Sequence, residues 1–136
     1  MVKVLMAAAG SGKTKVIIDS VNAAAKKEPG TVVCIAKDSA LNLDISHAAR
    51  LVNASDYSVS DYASLLGFVA GIHAGNYDIA EIFIDGLYKV ARDDKTEDAE
   101  KFILKLDEFS EKHGVNFTIS MSDDAALASD VLKKYM

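Results

Sequence analysis

The chain has 136 residues, 20 of them acidic and 15 basic, for a formal net charge of −5. Half of the residues are apolar and 26% are charged, which suits one domain over 1–136 with a buried core and excludes disorder, collagen and coiled coil. The acidic balance disfavours a nucleic-acid grip, which needs a basic face, and the single cysteine, Cys34, favours a cytoplasmic protein over a secreted, disulfide-stapled one.

Val2 to Met6 is a β-branched apolar run entering the small-residue stretch Ala7-Ala8-Ala9-Gly10-Ser11-Gly12, the pattern of a buried strand running into a turn. The longest apolar run, Val4 to Ala9, falls far short of the roughly 20 residues that a membrane span requires. It is also too short for a signal peptide and passes straight into glycines and lysines. From Lys13 to Lys27, Val16, Ile17, Val21, Ala24 and Ala25 recur at helical spacing until Pro29-Gly30. Thr31 to Ala36 is continuously apolar, as in a strand covered on both faces of a parallel sheet.

Over residues 39–59 the pattern is ambiguous. Leu41, Leu43 and Ile45 alternate as in a strand, while Ala48, Ala49 and Val52 suit a helix or a short edge strand. Ser60 is placed to cap a helix through Ala74, on which Gly67, Gly71 and Gly75 form a bare stripe that favours close packing inside the fold over a dimer contact. Ile82-Phe83-Ile84 ends on Asp85-Gly86 as a buried strand. Asp94 to Glu97 has capping-box spacing and opens a helix with a Phe102, Ile103, Leu106 and Phe109 stripe. Phe117 to Met121 is a further strand, and Ala125 to Tyr135 a closing helix. This alternation predicts an α/β three-layer sandwich with a mostly parallel sheet of about five strands.

Ala7 to Thr14, A-A-A-G-S-G-K-T, fits the relaxed phosphate-loop pattern [AG]-x-x-x-x-G-K-[ST], with Ala7 in place of the first glycine. Small residues let backbone N–H groups curl around a phosphate, and the following helix adds unpaired donors and its positive dipole end. In that chemistry Lys13 reaches the β- and γ-phosphates and the Thr14 hydroxyl joins Asp85 in holding Mg²⁺. Asp85, at the tip of I-F-I-D, fits the Walker B role, though the Gly86 after it removes the adjacent carboxylate of many hydrolytic motors. Asp38, after the second strand, suits a water-polarising base and equally an ordinary turn carboxylate. Ser120, Ser122 and Asp123 end the 117–121 strand; Ser122 is the choice for a γ-phosphate sensor beside the alternative of a plain polar strand end. The three histidines have no metal-ligand spacing, and Cys34 suits an inert core thiol.

A kinase lid would need more arginines than Arg50 and Arg92, and the guanine motif N-K-x-D is missing, so ATP is the expected nucleotide. Phosphate loop, second strand with a carboxylate, Walker B strand and a further polar-ended strand, in that order, resemble the RecA-like ATPase core. With G-S-G-K-T-K, Asn53 to Tyr57 (N-A-S-D-Y), Asn76 to Ile79 (N-Y-D-I) and Ile82 to Gly86 (I-F-I-D-G), the whole chain resembles small clostridial-type phosphate-loop proteins labelled as twitching-motility (PilT-like). The resemblance implies a P-loop fold and binding of ATP with Mg²⁺. The candidate nucleotide contacts are Ala8, Ala9, Gly10, Ser11, Gly12, Lys13, Thr14 and Lys15, the metal would meet Thr14 and Asp85, and Asp38 and Asp85 would carry hydrolysis. Either weak ATPase activity, completed by an arginine in a homo-oligomer, or a nucleotide-sensing module without turnover that engages a partner protein fits this pattern.

Overall fold

The computed structural model of the chain describes residues 1–27, 29–38 and 44–136. Five strands, β1 (Val2–Ala7), β2 (Thr31–Ala36), β3 (Ala49–Asn53), β4 (Ile79–Ile84) and β5 (Asn116–Ser122), form one sheet in the order β1-β5-β4-β2-β3. Every pairing is parallel. The helices are α1 (Lys13–Lys27), α2 (Tyr62–Gly75), α3 (Leu87–Ala91), α4 (Thr96–His113) and α5 (Asp130–Lys133).

Strand β2 shows why a parallel strand is an unbroken apolar run. Val33 and Ile35 enter a core with Leu65 and Val69 of α2, Val90 of α3 and Phe102 of α4, whereas Val32, Cys34 and Ala36 pack with Ile17 and Val21 of α1 on the opposite face. Helices therefore lie on both faces of the sheet, as the three-layer expectation requires. Burying each such Val or Ile side chain contributes about 1.5–3 kcal/mol, so both faces of the central strands hold the layers together. In α4, Ala99, Phe102, Ile103 and Leu106 recur at spacings of three and four, and all are buried while Glu97, Lys101, Lys105 and Glu108 face water. The outer edge of β1 is covered by the carboxyl-terminal tail, with Val4 N–H donating to Tyr135 O at 2.8 Å.

Several local expectations are corrected. Asp61, not Ser60, caps α2: its Oδ1 accepts from Ser64 N–H at 2.7 Å while Ser64 Oγ accepts from Asp61 N–H at 3.1 Å, a reciprocal box one residue further on. Asp94 does not cap α4; Lys95 is the boundary residue, and Asp93 Oδ1 accepts its N–H at 2.8 Å. The closing helix is broken in two. A 3-10 turn at Ala125–Leu127 precedes α5, because Asp124 caps the first piece and Ser129 Oγ, accepting from Leu132 N–H at 3.2 Å, caps a separate second one.

In the ambiguous stretch the edge-strand alternative holds as β3, followed by a 3-10 turn at Ala54–Tyr57, and Leu41 and Leu43 lie outside the described residues. The glycine stripe of α2 is not packed tightly inside the fold. A Cβ at Gly67, Gly71 or Gly75 would meet nothing within 4 Å, and the stripe borders an open groove of about 430 Å³ floored by Val33, Val52 and Ile79. The reason lies in the helix positions: α2 contacts α3 and α4, and the flank of the sheet toward β3 is left less covered on that face.

Candidate functional site

Strand β1 delivers the loop. It ends at Ala7, whose carbonyl accepts from Asp123 N–H at 3.1 Å, fixing the loop entrance to the end of β5. Ser11 N–H donates to Ala8 O at 3.2 Å, and Gly10 and Gly12 take φ values of 79° and 93°, in the left-handed region open to glycine. A Cβ at either glycine would meet nothing within 4 Å, so the space over the loop is open. Val16 N–H donates to Gly12 O at 3.3 Å, beginning the turns of α1 and leaving the N–H groups of its first turn without helical acceptors. Lys13 folds over the loop, its Nζ donating to Ala8 O at 2.8 Å and lying 3.5 Å from Ser11 Oγ.

Strands β4 and β5 supply the opposite wall. Asp85 N–H donates to Ile35 O at 2.9 Å, so the residue continues the sheet ladder before the chain turns at Gly86, with φ 75°. Ser120 is 1% exposed and spans this corner, donating to Asp85 Oδ1 at 3.1 Å and accepting from Gly86 N–H at 2.8 Å. α3 then begins at once, and the Tyr88 hydroxyl donates to Asp123 Oδ2 at 2.9 Å, tying that helix to the end of β5.

Because β5 runs between β1 and β4, loop, serine and carboxylate share one cleft of about 350 Å³ at the carboxyl ends of the strands. Its lining is Ala9, Gly10, Gly12, Lys13, Thr14, Asp85, Gly86, Lys89, Ser120 and Ser122. Most of the anticipated set thus converges, and four of its residues, Ala8, Ser11, Lys15 and Asp38, fall outside the lining. Lys15 pairs with Asp19 at 3.2 Å on the exposed side of α1. Ala8 and Ser11 contribute to the loop's own bonding and are not in the lining. Asp38 is exposed just past β2 and is likewise not in the lining.

Both serines border the cleft, but the buried one that bonds Asp85 is Ser120, while Ser122, the residue favoured on sequence, is exposed. Lys89 was not anticipated. It lies on α3, whose five residues are too few to display a helical period in the sequence. Arg92 sits at the far end of α3 and Arg50 on β3 borders the groove under α2; neither is in the cleft lining.

The donors suit a metal-chelated polyphosphate: a hydroxyl at Thr14 and a carboxylate at Asp85 are hard oxygen ligands of the kind Mg²⁺ takes along with its waters. Lys13, Lys89 and the exposed loop N–H groups suit the phosphate oxygens. Cys34, fully buried beneath this site, has its thiol pushed up to about 12 by burial first and the Asp85 charge second, which keeps it protonated and unreactive. The fold brings His73 and His113 to a ring separation of 4.7 Å at the far ends of α2 and α4, and His113 is lowered by desolvation, by His73 and by Lys112. No helix among the described residues is long and apolar enough to cross a membrane. Neither a family model nor a curated protein matches this chain.

Proposed function

We propose that this chain binds ATP with Mg²⁺ in the cleft between the 8–14 loop and Asp85, as a RecA-like P-loop module with weak ATPase activity or ATP-dependent regulation. The observation that carries the reading is the convergence, on one cleft, of a glycine loop at a helix start, an ammonium, a hydroxyl and a strand-end carboxylate. The position of β5 between β1 and β4 supports it, since a polar strand end between loop and carboxylate can respond to the terminal phosphate.

In this reading the loop N–H groups and Lys13 hold the phosphates, and Thr14 and Asp85 hold the metal, which when bound neutralises phosphate charge. Ser120 holds Asp85 in one orientation through the 3.1 Å bond. Hydrolysis needs a water-polarising base, for which Asp38 is the candidate. The second reading, nucleotide sensing without turnover, is favoured by Gly86 in place of a second acid and by the absence of Asp38 from the cleft lining.

Calorimetric titration with Mg·ATP, beside phosphate release, tests both. Wild type binds and Lys13→Ala binds at least about tenfold more weakly, the loss of a charge-assisted contact, while circular dichroism stays unchanged. A wild type that binds no nucleotide refutes the proposal. Binding without phosphate release, unaltered by Asp38→Ala, leaves the sensing module and removes the ATPase.

A further inference from the structure

We infer that Lys89 reads the terminal phosphate, so that the cleft distinguishes a nucleoside triphosphate from a diphosphate without help from a second chain. The inference rests on the nucleotide reading above and assigns a residue that the phosphate-loop pattern does not contain. Lys13 and Lys89 are the two basic side chains in the cleft lining, and they come from opposite walls. Lys13 is anchored on the loop itself through Ala8 O, on the wall formed by the loop and the start of α1. Lys89 stands beside Asp85, Gly86 and Ser122, the wall that the end of the polyphosphate faces.

The chain places Lys89 by a rigid route. Ser120 Oγ holds Gly86 N–H at 2.8 Å, the left-handed φ of Gly86 turns the chain off the sheet, and Val90 N–H closes the first turn of α3 on Gly86 O at 3.0 Å. A Cβ at Gly86 would lie 3.7 Å from Lys89 Cδ and 3.9 Å from its Cβ, so the lysine stem runs across the bare glycine. Tyr88, the preceding residue, is bonded to Asp123 at 2.9 Å and lies 3.3 Å from Thr96 Oγ1, which fixes α3 at both β5 and α4. Lys89 has no ion-pair partner within 4.0 Å among the described residues, and it borders both this cleft and a second pocket that carries Asp61, Asp93 and Asp94. A rigidly based cation beside the metal carboxylate, supplied in cis, fills the role for which an arginine from a neighbouring subunit is otherwise required.

The test is calorimetric titration of wild type, Lys89→Ala and Lys89→Arg with Mg·ADP and, separately, with Mg·ATPγS, each variant checked for its native dichroism spectrum. Lys89→Ala weakens ATPγS binding about tenfold, as loss of one charge-assisted contact does, and changes ADP binding by less than about twofold; Lys89→Arg keeps most of the preference. Equal losses for both nucleotides, or no loss for either, overturn the role of Lys89 while wild-type binding keeps the nucleotide site. A wild type that binds neither nucleotide overturns the site itself, and the role of Lys89 with it.

Discussion

Replacing Ser120 by alanine removes one oxygen and breaks two bonds. Gly86 N–H loses its acceptor at 2.8 Å and Asp85 Oδ1 loses its donor at 3.1 Å. Ser120 is only 1% exposed, while Gly86 and Asp85 are half-buried at the cleft, so water compensates for the lost bonds only in part. A buried donor deprived of its partner costs about 1–3 kcal/mol, and the lost bond to a carboxylate adds to this, so about 2 kcal/mol is expected. For a domain of this size each kcal/mol lowers Tm by about 3–4 °C, which gives a fall of about 6–8 °C. Thermal melting followed by circular dichroism measures it, with Ser122→Ala as the control. Ser122 is exposed and makes no side-chain bond among the described residues, so that variant should stay within about 0.5 kcal/mol of wild type. If Ser120→Ala melts within 2 °C of wild type by that assay, roughly a quarter of the expected shift, the hydroxyl is not the brace between β5 and the Asp85 corner.

Asp61→Ala should lower Tm at neutral pH and lose its effect in acid. The backbone N–H and hydroxyl of Ser64 hold the Asp61 carboxyl below its usual 3.8; its contribution is therefore complete above that value and disappears as pH falls through the lower folded-state value. Melts of both proteins from pH 7 to pH 2 follow the gap, and a gap that persists unchanged at the acid end contradicts the capping assignment. The glycines give a contrast of sign. Gly67→Ala, facing open space in α2, should stabilise by about 0.5–1 kcal/mol. At Gly30 an added Cβ collides with the Asp78 carbonyl that accepts Thr31 N–H and sits 3.1 Å from Ala80 Cβ, so Gly30→Ala should destabilise by about 1–3 kcal/mol. Urea denaturation reads both, and equal effects at the two positions would contradict the packing described.

The strands were legible because parallel strands are covered on both sides: after Thr31, V-V-C-I-A carries no polar residue to mark a face, and β2 buries residues toward both layers. The pattern of β5 was less informative about its two serines. Ser120 and Ser122, two apart, lie on the same face of β5, so alternation does not separate them; Ser120 is buried within the strand and Ser122 is exposed at its end. α3 was missed because five residues, L-Y-K-V-A, are too few to display a helical period, and with it went Lys89 and Tyr88. The loop motif could be placed because its chemistry is local in sequence. The strand order could not, since it depends on which apolar run docks beside which, and every one of these runs is apolar.

The placement of β5 also fixes when the cleft can exist. β1 and β5 are neighbours in the sheet although Met1 and Asn116, bonded at its edge, are 115 residues apart in the chain. The loop precedes β5 in the chain, yet its supporting strand has no hydrogen-bonded neighbour in the sheet until β5 inserts between β1 and β4. Contacts of such long sequence separation bear the largest closure entropy and form late. A growing chain that has already exposed Lys13 and Asp85 therefore has no cleft; the cleft arrives only with residues 116–122, as a property of the finished sheet.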